Sequence, residues 1–384
     1  MAKLIGNAPN QVPTNADLGS MAFEDRKNYA TTSSPIYQPY RNIIINGDMS
    51  IAQRSTSVAS ITTTGYYTID RWNIILSSLG TWTQSQSTDV PTGQGFAKSL
   101  KMDCTTADAS PASMDRLFVE QKFEGQNLQY LKKGTANAVS TTLSFWVKSN
   151  KTGTYITQLY DVNNNRTISK SYTVNVTDTW EKKTITFDGD TTGTLGNDNS
   201  HRLSARFYLG AGTGWTSGTL GTSWGAGVNV NIAVGQVNLA DDTANEWYVT
   251  GVQLEAGTTA SDFELLPFDV NLARCLRYYF RTDWNEGGAG HSLGGGFWFK
   301  GSNTNEAFGF NQFPVRMRTN PTITAFDNAG TSGRIHRAAV GDLAAAITFA
   351  GITQQGLNAF TSSGNVVATN PNMYVCRANV DAEL

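Results

Sequence analysis

In this 384-residue chain the side chains best suited to chemistry are tryptophans rather than titratable groups. Trp215 and Trp224 fall within Gly210–Gly227, a stretch too polar and Gly-rich to read as core. An indole held in such a loop can stack on the face of a sugar ring while its N–H serves a hydroxyl. The competing reading is that each ring plugs the end of a sandwich or lies at a subunit interface. Trp284 and Trp298 carry the same two readings further along the chain. All four stand as candidates for glycan contact.

Catalytic and metal chemistry find less support. A glycosidase needs two carboxylates at a set separation across a cleft, and no carboxylate pair here carries a motif around it. His201, His291 and His336 are isolated, with no HExxH, no Ser-His-Asp order and no Gly-x-Ser-x-Gly elbow. Gly210-Ala211-Gly212-Thr213-Gly214 lacks the dinucleotide spacing and reads as a loop. Asp161-Val162-Asn163-Asn164-Asn165 imitates the first half of a calcium loop. However, Arg166 stands where that loop needs Gly and Tyr172 where it needs a bidentate Glu, so a hairpin turn is the better reading. Asp188, Asp190 and Asp198 could chelate calcium, but a solvated acidic loop is preferred. Cys104, Cys275 and Cys376 are odd in number, far apart and without CxxC spacing. They read as reduced, buried thiols of a protein assembled in a reducing cytoplasm. No catalytic residue, metal site or cofactor is therefore assigned.

The elements that must position these residues are strands. Charged residues make up only 16% of the chain, below the ~25% typical of soluble domains. The polar surface falls to Thr, Ser, Asn and Gly, which suit strands and turns. Period-two alternation recurs. Leu143, Phe145 and Val147 alternate with Ser144, Trp146 and Lys148; Tyr172, Val174 and Val176 with Thr173, Asn175 and Thr177. Leu203, Ala205, Phe207 and Leu209 alternate with Arg202, Ser204, Arg206 and Tyr208; Val228, Val230, Ile232 and Val234 with Asn229, Asn231 and Ala233. Strands with one apolar and one polar face bury the apolar faces by packing as two sheets, a β-sandwich, although a barrel has the same pattern. Before this region, residues 1–40 are punctuated by Pro9, Pro13, Pro35 and Pro39 and lack an apolar face. Leu272, Cys275, Leu276 and Tyr279 fall at helical spacing after Pro267, with Asp269 as a cap. Beyond them, Phe297 and Phe299, then Tyr374, Cys376, Ala378 and Val380, alternate again in a smaller β domain. A net charge of −2 without charge blocks leaves no basic footprint for nucleic acid. No apolar run is long enough for membrane insertion, and no signal peptide is expected.

Several stretches taken in order resemble the phage branch of the carbohydrate-binding-module-like jelly rolls. They are Asn42–Ile51, Leu143–Ser149, Trp180–Phe187 and Val252–Gly257, with Phe313–Arg318 and Asp381–Leu384 after them. Gln11–Gly19 resembles the particle-anchoring peptide of bacteriophage tail-fibre and virion-appendage proteins. The resemblance covers most of the chain, from about residue 10 to the end. It implies an all-β fold: residues 1–40 as an extended virion-anchoring arm and linker, 41–268 as a jelly-roll β-sandwich, 269–281 as a connecting helix, and 282–384 as a C-terminal β domain. It implies a structural and adhesive, non-enzymatic component of a phage particle, anchored to the tail or other virion proteins and binding a host-surface glycan. Val12, Pro13, Asn15, Asp17, Leu18, Met21 and Phe23 would form the anchor. Such fibres are homotrimers, and the apolar positions of 269–281 could pack around a threefold axis, although no coiled-coil heptad is present. The competing functions are a tail-associated polysaccharide-degrading enzyme and, less well supported without a signal peptide, a secreted lectin.

Overall fold

The computed structural model describes residues 40–282, 296–303, 305–327, 329–337, 341–343, 346–362 and 372–384. The anchor residues Val12, Pro13, Asn15, Asp17, Leu18, Met21 and Phe23, together with Trp284 and His291, lie outside this set.

The first strands are β1 (Ser57–Ile61), β2 (Gly65–Tyr66), β3 (Asn73–Ser77), β4 (Thr81–Ser87), β5 (Ser99–Thr106), β6 (Arg116–Glu124) and β7 (Thr141–Ser149). They are followed by β8 (Gly153–Asp161), β9 (Arg166–Val174), β10 (Glu181–Phe187), β11 (His201–Ala211), the short helix α1 (Thr213–Thr216), β12 (Gly225–Ala226) and β13 (Glu246–Ala256). One antiparallel sheet runs β1-β4-β5-β13-β7-β10 and the other β12-β9-β8-β11-β6-β3-β2. Successive strands cross repeatedly between the two, giving a jelly-roll β-sandwich. The alternation in the sequence decides which side chains lie between the sheets. Phe207 of one sheet packs its ring 5.1 Å from Phe145 and 6.1 Å from Trp247 of the other. Trp72, Trp82 and Trp247 are fully buried around it. Truncating such a ring to alanine costs about 3–5 kcal/mol, so these aromatics hold the sheets together.

Ile43, Ile44 and Ile45 are buried but form no strand. Their N–H groups are taken up separately: Ile43 donates to the Leu254 carbonyl, Ile44 to Asn42 Oδ1 and Ile45 to Gln121 Oε1 on β6. Asn46-Gly47 make a turn after them, with Asn46 at φ 58°. A Cβ on Gly47 would lie 2.1 Å from the Val252 carbonyl oxygen, so only glycine lets the turn approach β13.

Helix α2 (Phe268–Leu276) follows. Its N-cap is Pro267; Asp269 sits in the first turn, where its charge complements the helix dipole. The expected helix over 269–281 is corrected at its end. Tyr279–Arg281 form β14, paired with Asn379–Asp381, because tertiary strand pairing overrides the continuing apolar pattern. One face of the helix covers its own sandwich: Cys275 and Tyr278 are buried against Ile45 and Ile51 of the same chain. A second expectation fails at Val228–Val234, which form a 3-10 turn at Asn229–Asn231 rather than a strand. The Asn231 side chain accepts from Thr219 N–H and Gly218 N–H donates to the Val230 carbonyl, so the segment bonds its own loop rather than a sheet.

The C-terminal strands are β15 (Phe297–Gly301), β16 (Glu306–Gln312), β17 (Thr322–Phe326), β18 (Ile335–Arg337) and β19 (Gly341–Leu343). The last three are β20 (Ile347–Ala350), β21 (Gly356–Ser362) and β22 (Met373–Asp381). They form a sheet ordered β19-β18-β22-β15-β16-β21-β20, with β14 and β17 also paired to β22. Phe280, Phe297, Phe299, Phe313 and Phe360 fill its core.

This unit is joined to the sandwich by buried charge. Arg71, fully buried and left-handed at φ 73°, pairs with Glu383 and lies 3.6 Å over the Tyr278 ring. Arg54 bonds Asp381 at 3.1 Å and lies 3.5 Å over Tyr279. Arg277 forks onto both oxygens of Glu124 at 2.9 and 2.7 Å. All three cysteines are buried and free.

Candidate functional site

The outer face of the β12-β9-β8-β11-β6-β3-β2 sheet carries side chains that the core does not need. Register sorts them into rungs. Asn73 pairs with Glu120, Glu120 with Arg206, Arg206 with Gln158 and Gln158 with Ser169, one polar rung across five strands. On one side lies an apolar rung of Ile75, Phe118, Tyr208 and Ile156. On the other, Lys122, Ser204, Tyr160 and Thr167 are paired in turn. Both ends of the face are covered. Trp215, Ile232 and Ala233 from the loop after β11 pack on the apolar rung. At the far end the Leu384 carbonyl accepts from Lys122 Nζ and Tyr66 Oη.

Between the covers is a cavity of about 320 Å3 lined by Arg116, Tyr160, Asn165, Thr167, Arg206 and Trp215, among others. Its size falls at the lower end of the range for small-molecule sites. Arg206 is fixed between two rings, 4.2 Å from the Tyr160 centroid and 4.8 Å from that of Phe118. Its Nε donates to Glu120 Oε2 at 2.8 Å and its Nη1 to Gln158 Oε1 at 3.2 Å. Arg116 lies 4.4 Å over the Trp215 ring. Burial would raise the Glu120 carboxyl, but Arg206 and Lys122 outweigh it and hold the group below its ordinary range. Burial pushes His201 down to about 4, so its ring is neutral at pH 7.

Satisfaction is incomplete here. Asn73 Oδ1, Arg116 Nε, Gln158 Nε2 and Ser169 Oγ are buried without a hydrogen-bond partner among the described residues. They are four of thirteen such side-chain atoms in the described molecule, and all four lie on this one sheet face. Of these four residues Arg116 lines the cavity, where a hydroxyl-rich ligand would recover free energy that an orphaned group costs. Guanidinium, amide and hydroxyl groups beside aromatic rings suit a ligand with apolar faces and a hydroxyl rim.

A larger cavity, about 770 Å3, opens between α2 and the sandwich near Tyr40, Ile43, Tyr130 and Val270. Its polar groups are mostly committed to one another. Arg277 and Tyr278 bond Glu124, Arg274 bonds the Asn42 carbonyl, and Lys122 bonds the Leu384 carbonyl. It offers volume but few open donors, and the smaller cavity is the better candidate.

The tryptophans separate. Trp215 lines the cavity, but it is buried rather than mobile, with its Nε1 donating to the Met114 carbonyl. The reading of its segment as exposed loop is corrected, because Phe118, Ile156 and Tyr208 give the ring an apolar seat. Trp224 does not line the cavity. Its Nε1 donates to the Asp188 carbonyl, its ring packs on the main core, and Lys133 lies 4.7 Å over it. Trp298 is in β15, in the other unit.

The acidic loop is corrected too. Asp190 is buried, accepting from Arg166 Nε and Nη2 and from Lys133 Nζ, each at 2.8 Å. Burial opposes ionisation, yet these bonds push it down to about 2. Lys133 also pairs with buried Asp161. Asp161 and Asp190 are thus neutralised by cations of the chain, whereas Asp188 is exposed as expected and Asp198 pairs with Arg202 at the surface; no metal-binding cluster occurs among the described residues. Asp161–Asn165 form the β8–β9 hairpin turn. His201 Nε2 lies 2.7 Å from Ser204 Oγ, but Ser204 is fully buried and unavailable as a nucleophile.

Arg116, Glu120, Gln158, Tyr160 and Arg206 were not anticipated as site residues. The one available signal was the polar phase of the β11 alternation, which places Arg206 and Tyr208 on a face opposite the core.

No family model and no curated protein matches this chain. Among solved structures, it is similar to the enzymatically active domain of tailspike protein 4 of bacteriophage CBA120, at 14% identity and TM-score 0.30. That match covers 57% of this chain and 22% of the tailspike chain. A family 4 carbohydrate-binding module (14%, TM-score 0.28) matches over 55% of this chain and 97% of its own. A family 11 module from Clostridium thermocellum, in complex with a mixed-linked tetrasaccharide (12%, TM-score 0.26), matches over 55% and 100%. These are distant likenesses of fold.

Proposed function

We propose that this chain is a non-enzymatic, glycan-binding adhesive component of a bacteriophage particle, a tail fibre or tail-associated fibre. The observation that carries glycan binding is the cavity wall in which Arg206 of the polar rung and Arg116, whose Nε has no partner among the described residues, stand beside the rings of Tyr160 and Trp215. The particle assignment rests on the resemblance of Gln11–Gly19 and the later stretches to virion-appendage proteins. In this reading the Val12–Phe23 segment docks on tail or other virion proteins and the β units project towards the host surface.

Binding without hydrolysis is favoured by the carboxylates. Glu120 is the one carboxylate of the rung, and it is held ionised by Arg206 and Lys122. An ionised, committed carboxylate cannot serve as the proton donor that glycoside cleavage requires.

The homotrimer is part of the same proposal. Phe308 and Phe310 on β16 are 52% and 88% exposed, a cost that burial between copies would relieve.

The test is incubation with capsular and lipopolysaccharide oligosaccharides of candidate hosts, read by calorimetry and by release of reducing ends. Saturable binding that is weakened in Tyr160→Ala, without reducing-end release, is the expected result. Release of reducing ends would establish the enzyme instead, and absence of this chain from purified virions would overturn the particle assignment.

A further inference from the structure

The residues lining the 320 Å3 cavity include two guanidinium groups and no carboxylate. Arg206 is neutralised from beneath by Glu120. Arg116 is not. It makes no ion pair or hydrogen bond among the described residues, and its buried Nε has no partner. What holds it is the Trp215 ring at 4.4 Å and, more loosely, that of Phe118 at 6.0 Å. A cation laid on an aromatic face keeps its donors free in the plane of the group and pointing outwards. The indole is itself immobilised by burial and by its bond to the Met114 carbonyl. The cavity therefore carries one uncompensated, pre-positioned positive charge.

Asn165 in the β8–β9 turn, Thr167 on β9 and Tyr160 on β8 add neutral polar groups to the wall. Planar guanidinium binds carboxylate through two parallel N–H···O bonds, a geometry that a hydroxymethyl group cannot reproduce. Resting on the glycan-binding reading above, we infer that the cavity selects an acidic sugar, a residue bearing a carboxylate, with Arg116 as the group that recognises its charge.

The experiment compares oligogalacturonate with its carboxyl-reduced, neutral counterpart on the full chain, by calorimetry at 50 and 500 mM NaCl. The inference expects the acidic form to bind at least tenfold more tightly at low salt, with the preference shrinking at high salt as screening grows. Arg116→Gln should remove at least tenfold of the affinity for the acidic form and bring the ratio of acidic to neutral binding close to one. Arg116→Lys keeps the charge without the fork and should retain part of the preference. Matched thermal melts show whether each variant is folded. If melting shows Arg116→Gln to be misfolded, the wild-type comparison of the two sugars and its salt dependence still decide. Equal binding of the two forms by wild-type protein overturns the acidic selectivity and leaves the glycan-binding reading standing. Binding of neither overturns the inference for uronic acids. If neutral and acidic oligosaccharides of the host surface also fail, the broader reading falls with it.

Discussion

Glu383→Gln tests the charge buried between the two units. The Glu383 side chain is 5% exposed and faces Arg71, 1% exposed, and Arg54, 10% exposed. After substitution Arg54 keeps Asp381 at 3.1 Å. Arg71 keeps only the Lys122 carbonyl at 2.6 Å and the Tyr278 ring, neither of which carries a negative charge. Leaving one cation buried without its counter-ion costs about 3–5 kcal/mol. Arg71→Met with Glu383→Leu removes both charges at similar volume and should recover most of that loss. The assay is urea unfolding followed by the fluorescence of Trp72, Trp82 and Trp247, all buried in the sandwich core. A double-mutant cycle over wild type, Arg71→Met, Glu383→Leu and the double variant then isolates the pair. A Glu383→Gln cost below about 1 kcal/mol, the value of an exposed pair, would refute the reasoning, as would a double variant no more stable than the single one.

His201 is neutral when folded, with a pKa of about 4 against an ordinary 6.5, so its contribution is complete above pH 6.5 and is lost as pH falls towards 4. His201→Gln should flatten that part of the stability–pH curve by up to about 3 kcal/mol, measured by urea midpoints across the window. Gly47→Ala should destabilise by about 1–3 kcal/mol, because the added methyl overlaps the Val252 carbonyl; thermal melts check this. Tyr160→Ala should weaken glycan binding by about 1 kcal/mol or more in calorimetry, since it removes both a cavity wall and one ring holding Arg206. Phe308→Ser with Phe310→Ser should shift a trimer towards monomer in light scattering without lowering the melting temperature of the sandwich.

What could be read from sequence was whatever repeats locally. The alternations around Phe145 and Phe207 give strands because each residue's face follows from its neighbours alone. Leu272 and Cys275 mark a helix for the same reason. The failures all involve distant partners. Tyr279 fits the helical pattern, yet its backbone pairs with Asp381. Val228–Val234 alternate well, but the loop's own Asn231 and Gly218 take the bonds a strand would need. Trp215 stands among glycines and still finds an apolar seat on residues from β6, β8 and β11. The candidate site was the least legible part. Asn73, Glu120, Gln158, Ser169 and Arg206 meet only through strand register, so no local motif joins them.

That same dispersal gives the rung an evolutionary property. Each of its five positions is supplied by a separate strand, and each side chain points away from the aromatic layer that fixes the sheets. An exchange at one position leaves in place the backbone that presents the other four, but Asn73, Glu120, Gln158 and Ser169 are buried, so a partner that is lost must be replaced by its neighbour on the rung. A local motif would have to be rebuilt as a unit; this rung can be varied by one strand and its neighbour at a time. Under the proposed glycan-binding function, selectivity would change through such exchanges while the scaffold beneath stays the same.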